Sequence, residues 1–322
     1  MTNKEFLKSF FTEHWKYMTV SAACKLNLFD SLDFIGKSSV QISELLNVPK
    51  QNLDLLLNGL VSINFLLKVD DRYTLSELSE LLIGKHPETM KYACLNWSGD
   101  HLKAWMDLDK SIKTGKSFFQ NNYGVNFFKY INEDNEKLDH YHNAMFAYAK
   151  DDYQNITDKI DFSHHKSIMD VGAGYGAAIS QIKDSFPSLD CYLFDLPSVI
   201  DNCDIDNDII LKPGNFFDEI PKVSEAIILS RILHDWNDEK AHQILENTYD
   251  ALPKSGYLYI IENCSDKIAA DLSLLSLNML AMCESFERTS YEYIAMANKS
   301  GFIFQKATAL NDLQTILTFT RQ

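Results

Sequence analysis

The 322-residue sequence predicts an α/β protein: a helical, winged-helix-like unit followed by a doubly wound, Rossmann-like sheet that ends in an antiparallel hairpin. Three observations carry that expectation. From Ser167 onward, short apolar runs alternate with helical patterns. A glycine-rich turn, Asp170-Val171-Gly172-Ala173-Gly174-Tyr175-Gly176, joins the first run to the first helical pattern. Before residue 90, a helix–turn–helix pattern precedes a two-strand pattern. The length suits two domains, placed at 1–95 and 96–322, the second opening with a helical segment over 96–160.

Taken in order, Phe10 to Leu32 carries apolar residues at helical spacing and reads as helical. A helix follows at Ile42 to Leu46, then a turn at Asn47-Val48-Pro49 and a helix over 51–64. Two short runs, 66–69 and 72–75, flank Asp70-Asp71 and predict a hairpin. Winged helices often bind DNA, but residues 51–62 hold no Lys or Arg, and residues 1–90 carry nine basic against eleven acidic side chains. Phosphate contacts need basic groups, so DNA is excluded as a partner. The stripe Leu53, Leu56, Leu57 and Leu60 suits packing, with a second subunit as the expected neighbour. Residues 96–160 are rich in aromatics; most pack as core, and a few, Phe127 and the neighbouring Met145 among the candidates, line an apolar pocket for a flat ligand.

The sheet strands are expected at 167–171, 190–195, 208–212, 225–230 and 256–263, with helices at 177–186, 197–203 and 237–252. Two further strands, 302–308 and 315–320, form the closing hairpin. Apolar residues make up 46% of the chain, enough for sizeable cores. No apolar run approaches the ~18 residues of a membrane span, and the N-terminus lacks a signal-peptide core. Six scattered cysteines without a C-x-x-C pair read as reduced thiols in a cytoplasmic protein. The net charge of −15 disfavours nucleic acid and anionic lipid.

The glycine turn is where a ligand fits. Glycine adopts φ > 0 and lets a ligand approach the backbone, and the helix start beyond it offers free N–H groups. The spacing G-x-G-x-G is tighter than the G-x-G-x-x-G of dinucleotide sites, which suits a nucleotide-like cofactor without a pyrophosphate. Asp195, nineteen residues after Gly176 at the end of the second strand, is placed to accept ribose hydroxyls. His234 follows the fourth strand and Glu262 ends the fifth; ligands of such sheets bind at these carboxyl ends. A lone histidine there can be structural; the pair favours catalysis. The remaining histidines show no metal spacing. The stretch Asp201, Asp204, Asp206 and Asp208 lacks the glycine and terminal Glu of a calcium loop and reads as a solvated acidic segment, so no metal is expected.

The run Leu229-Ser230-Arg231-Ile232-Leu233-His234-Asp235-Trp236-Asn237-Asp238-Glu239-Lys240 resembles the L-H-D-W-x-D-E segment of the S-adenosylmethionine-dependent small-molecule O-methyltransferases. That family includes plant caffeic acid and flavonoid enzymes, acetylserotonin methyltransferase and bacterial antibiotic-tailoring enzymes. The glycine turn, Phe194-Asp195-Leu196-Pro197, Gly214-Asn215-Phe216-Phe217, Leu252-Pro253-Lys254-Ser255-Gly256 and Glu287-Arg288-Thr289 match further family elements in order, and the winged-helix half matches the family's dimerisation domain. The resemblance implies a methyltransferase fold, a homodimer formed through the N-terminal domain, and transfer of a methyl group from S-adenosylmethionine to a hydroxyl of a small aromatic metabolite, leaving S-adenosylhomocysteine. His234 would be the general base, with Glu262 holding the imidazole from one side and Glu287 from the other. Asp235, Met145 and Phe127 would meet the acceptor. Gly172, Gly174, Asp195 and Leu196 would hold the methionine and ribose parts of the donor, Asn215 and Phe216 its adenine, with Ser230 and Arg231 beside it. Asn215 replaces the family's usual Asp, and Ser230 the Lys common in plant members. N- or C-methylation on the same fold is the alternative reading, and a ligand-sensing winged-helix regulator a more distant one.

Overall fold

The computed structural model describes residues 1–205 and 208–322; Asp206 of the acidic stretch lies outside the described residues. The chain divides into two compact units, 1–102 and 103–322.

In the first unit, β1 (Lys37–Ser38), β2 (Leu66–Val69) and β3 (Arg72–Leu75) form a small antiparallel sheet in the order β1-β3-β2. The hairpin β2–β3 falls where the sequence places it, and Asp70, at φ 54°, supplies its left-handed turn residue. The two-residue strand β1 is not apparent from the sequence because its partner lies in β3 rather than next to it. One expectation is refined and one corrected. The stretch expected to be helical from Phe10 to Leu32 holds two helices, Glu13–Lys25 and Leu28–Ser31, and a separate helix, Asn3–Phe10, ends where it begins. Thr12 turns its hydroxyl back onto Ser9 O at the first break. At the second, Asn27 takes φ 54° and its side-chain oxygen accepts a 2.7 Å bond from Lys91. The leucine stripe expected to face a second subunit is spent inside the unit: Leu53, Leu57 and Leu60, on helix Lys50–Ser62, are fully buried with Leu28, Phe29 and Ile42.

The second unit is built on a seven-stranded sheet of β4 (Ser167–Val171), β5 (Asp190–Asp195), β6 (Ile209–Pro213), β7 (Ala226–Ser230), β8 (Tyr257–Asn263), β9 (Phe302–Ala309) and β10 (Gln314–Arg321). The order is β6-β5-β4-β7-β8-β10-β9. Pairs among β4 to β8 are parallel, and β10 joins β8 and β9 antiparallel, as the closing hairpin requires. The central strands read as continuous apolar runs because both faces are covered: Met169, Val171, Leu229 and Ile260 pack on one side, Ile168, Ile228 and Ile261 on the other. The helix expected over 197–203 is a single turn, Pro197–Ile200, started by proline at its first position. The strand order reverses at β4, which lies between β5 and β7, and such a switch point opens a crevice at the carboxyl ends, where ligands of such sheets bind. Among the described residues no helix is long and apolar enough to cross a membrane.

Candidate active site

Two loops at the carboxyl end of the sheet carry the chemistry. The first is the glycine turn after β4. Gly172, Gly174 and Gly176 have φ of 73°, 56° and 78°, the region glycine enters without a Cβ clash. Gly174 N–H donates to Asp195 Oδ2 at 2.7 Å, and Leu196 N–H to Asp195 Oδ1 at 2.7 Å. The Asp195 carboxylate therefore pins the turn to the end of β5. Burial pushes Asp195 up to about 6, against the pull of those two N–H donors. Burial and the Asp195 charge push Asp170 up to about 7. The polar side chains here are carboxylates, which accept from ribose hydroxyls, favour a cation and repel a pyrophosphate. That donor set fits S-adenosylmethionine.

The other expected cofactor residues surround this turn. A Cβ on Gly172 would lie 3.4 Å from Phe216 Cε1, so the Phe216 ring borders the turn. Asn215 Oδ1 accepts from Phe217 N–H at 3.0 Å and shapes the loop after β6. Ser230 Oγ donates to Tyr153 OH, and Arg231 Nη1 stands 3.7 Å from Asp152 Oδ2, so both are anchored on helix Asn135–Tyr153. From the same helix His142 overhangs the turn: a Cβ on Gly174 would lie 3.2 Å from its Nδ1. Burial lowers His142 to about 4, so it is neutral at pH 7.

The second loop follows β7. Arg231 takes φ 54° and leads into a short 3₁₀ turn, Leu233–Asp235. Glu287 Oε1 pairs with His234 Nδ1 at 2.8 Å, and Asn263 Nδ2 donates to the same oxygen at 3.4 Å. His234 Nε2 is left facing Asp235 Oδ1, 3.7 Å away. Glu262 does something other than expected. Its Oε1 accepts from the backbone N–H groups of Ile232 (3.0 Å), Leu233 (2.8 Å) and His234 (3.4 Å), and no hydrogen bond joins it to the imidazole. It caps the turn that presents the histidine, because three N–H groups at a turn start outcompete one ring nitrogen already paired with Glu287. The three side chains lie within metal-ligand reach, 4.8 Å, but Nδ1 is committed to Glu287 and Glu262 Oε1 to the backbone.

Electrostatics make His234 unusually basic. Burial alone would lower it, but the carboxylates of Glu287, Asp235 and Glu262 outweigh burial and raise it to about 9. In return the imidazolium holds Glu287 below its ordinary range despite burial. Burial raises Glu262 to about 7 and also raises Asp235.

Arg288, next to Glu287 in the sequence, has a task that no local pattern shows. It is fully buried, donates to Leu233 O (3.0 Å) and Trp236 O (2.8 Å), and forks onto Asp238 Oδ1 (3.1 and 2.7 Å). It thereby clamps both ends of the His234 turn. Its only sequence signal is its place directly after Glu287. Beside the turn, Phe127, Phe128, Asp235, Trp236, Met282 and Cys283 line one cleft, with Phe128 and Trp236 stacked at 5.3 Å. Phe127 is a buried wall of that cleft, and Met145 is half-buried on helix Asn135–Tyr153.

The O-methyltransferase domain family matches residues 105–303, and the O-methyltransferase dimerisation domain family matches residues 9–85. The chain belongs to the S-adenosylmethionine-dependent O-methyltransferases. It is 27% identical over 305 residues to the phenazine O-methyltransferase PhzM of Lysobacter antibioticus, covering 92% of this chain and 89% of that protein. The solved structure of LaPhzM superposes with a TM-score of 0.95 at 25% identity, covering all of both chains. Human N-acetylserotonin methyltransferase, solved in complex with SAM, gives 0.88 at 22% identity over 100% of this chain and 98% of that one.

Proposed function

We propose that this methyltransferase transfers a methyl group to a hydroxyl of a small, flat aromatic metabolite, with His234 as general base. Bound S-adenosylmethionine supplies a methyl group already activated on a sulfonium sulfur. The chain's own residues then have two tasks, alignment and proton removal; alignment alone is worth about 7–11 kcal/mol. The observation that carries the reading is the 2.8 Å pair of His234 Nδ1 with buried Glu287. That pair fixes the tautomer that leaves Nε2 free to accept a proton, and stabilises the imidazolium as it forms. A phenol, with a pKa of about 10, needs such a base near neutrality. The stacked Phe128–Trp236 wall of the adjoining cleft suits an aromatic plane, and Asp235 lies beside the catalytic nitrogen to accept from the acceptor. An amine or carbon acceptor would leave the histidine–carboxylate pair with less to do, which favours oxygen over the N- and C-methylation alternative.

Gly172, Gly174, Asp195 and Leu196 would hold the donor's methionine and ribose parts, Asn215 and Phe216 its adenine edge, with Ser230 and Arg231 adjoining. Asp195→Ala is expected to weaken S-adenosylmethionine and S-adenosylhomocysteine by the same ~10–10²-fold, since a charged hydrogen bond is worth about 1.5–3 kcal/mol. Calorimetry with both ligands measures it, and unchanged affinity would remove Asp195 from the donor site. The dimerisation-domain match supports a homodimer through the N-terminal unit, where Phe6, Phe10, Phe11 and Trp15 are exposed.

The pH profile tests the base. A histidine raised to about 9 is mostly protonated at pH 7 and cannot accept a proton until it loses its own. The donor's kcat/KM, which reports the free enzyme, should climb tenfold per pH unit and level near pH 9. Glu287→Gln removes the nearest raising charge, so the inflection must move to lower pH. An inflection that stays in place on that substitution would overturn the pairing.

A further inference from the structure

With His234 assigned as the base, the site has a way to tell a fresh methyl donor from a spent one. The two differ by one positive charge on sulfur; their ribose, adenine and amino-acid parts are the same. Transfer requires the acceptor oxygen within reach of both the methyl carbon and the base, so the sulfonium of a bound donor would lie near buried His234 Nε2. What surrounds that space is unbalanced. Glu287 stands 2.8 Å from one ring nitrogen and Asp235 3.7 Å from the other, and Glu262 offers a ligand atom within 4.8 Å of the histidine. Two guanidiniums stand by this set, Arg231 turned toward Asp152 and Arg288 spent on Asp238 and the carbonyls of Leu233 and Trp236. Tyr141, Tyr293 and Cys283 pack against it and are held neutral by burial. Glu262 Oε2 and Glu287 Oε2 are both buried without a hydrogen-bond partner. The set holds more negative than positive charge, and one cation more, either an imidazolium proton or a sulfonium, answers it.

We propose that the carboxylate set of Glu287, Asp235 and Glu262 makes the His234 proton and the donor's sulfonium charge alternative occupants, so that donor binding expels the proton from His234 to solvent while product binding does not. The charge is then moved and not lost. As the methyl leaves sulfur for oxygen, the acceptor's proton goes to His234 Nε2, and the spent thioether is left beside an imidazolium, the state the free site favours. The site thus arms its own base only when a usable donor arrives.

Calorimetric titration at pH 8 in two buffers of different ionisation enthalpy counts the protons directly. S-adenosylmethionine is expected to release a measurable fraction of a proton, with affinity rising with pH. S-adenosylhomocysteine, which would make the same contacts with Asp195, serves as the internal control and should release less. In His234→Gln the difference between the two ligands should vanish. Equal proton release by both ligands, or a difference that survives in His234→Gln, would overturn the inference. Loss of turnover in His234→Gln together with equal proton release would leave the base assignment standing and this inference refuted; full turnover would refute the base assignment itself.

Discussion

Replacing His234 with alanine is expected to cut methyl transfer by about 10²–10⁴-fold while affinity for S-adenosylhomocysteine changes little. The side chain is almost wholly enclosed, and its two nitrogens face Glu287 and Asp235 instead of the glycine turn that holds the donor residues. Removing the ring deletes the proton acceptor and leaves the Gly174–Asp195 contact untouched. It also leaves Glu287 with Asn263 as its remaining side-chain partner at 3.4 Å. A buried carboxylate so stranded takes up a proton, so thermal melting is needed beside the kinetics. His234→Gln is the matched control: it keeps a hydrogen-bonding group near Glu287 but cannot take a proton. Both variants should be inactive toward a phenol and should still bind S-adenosylhomocysteine in calorimetry. Turnover within a few-fold of the parent in either would end the general-base reading.

How far this site was legible in the sequence depends on what fixed each part. The sheet strands were readable to within a residue or two at each end because strands covered on both faces are unbroken apolar runs, and the glycine turn because three left-handed positions in seven residues demand glycine. The Glu287–His234 contact followed from the family resemblance and stands in the structure at 2.8 Å. Glu262 was named, but its task was not readable. Whether it meets the ring or the backbone depends on the 3₁₀ turn at Leu233–Asp235, and that turn follows from the left-handed Arg231. The break at Asn27 was hidden for the same kind of reason: the Lys91 that fixes it lies 64 residues on. Local patterns show what a segment prefers, and contacts distant in sequence decide where a polar side chain spends its hydrogen bonds.

Arg288 is the sharpest case, and its substitution is expected to damage both stability and rate. Arg288→Met keeps most of the side chain's bulk and apolar stem but removes every donor. Asp238 is 70% exposed and can turn to water, so its charge costs little. The carbonyls of Leu233 and Trp236 lose a charged donor, although Leu233 O keeps Trp236 N–H at 3.3 Å and Trp236 O keeps Ser285 Oγ at 2.9 Å, giving a destabilisation of about 1–3 kcal/mol. The kinetic effect follows from where those carbonyls sit. They bracket His234 and Asp235, so loosening them lets Nε2 drift from the acceptor, and a misplacement of about 1 Å costs on the order of 10²-fold. A purely structural arginine would lower the melting temperature and leave kcat per folded molecule intact. A positioning arginine lowers kcat in molecules that are folded and still bind the donor. It also moves the acid limb of the pH profile, because the distance from His234 to Glu287 sets that limb. Thermal melting, donor calorimetry and the kcat pH profile on the same preparation separate the two. If the folded variant turns over at the parental rate with the parental inflection, Arg288 supports the fold and does not aim the base.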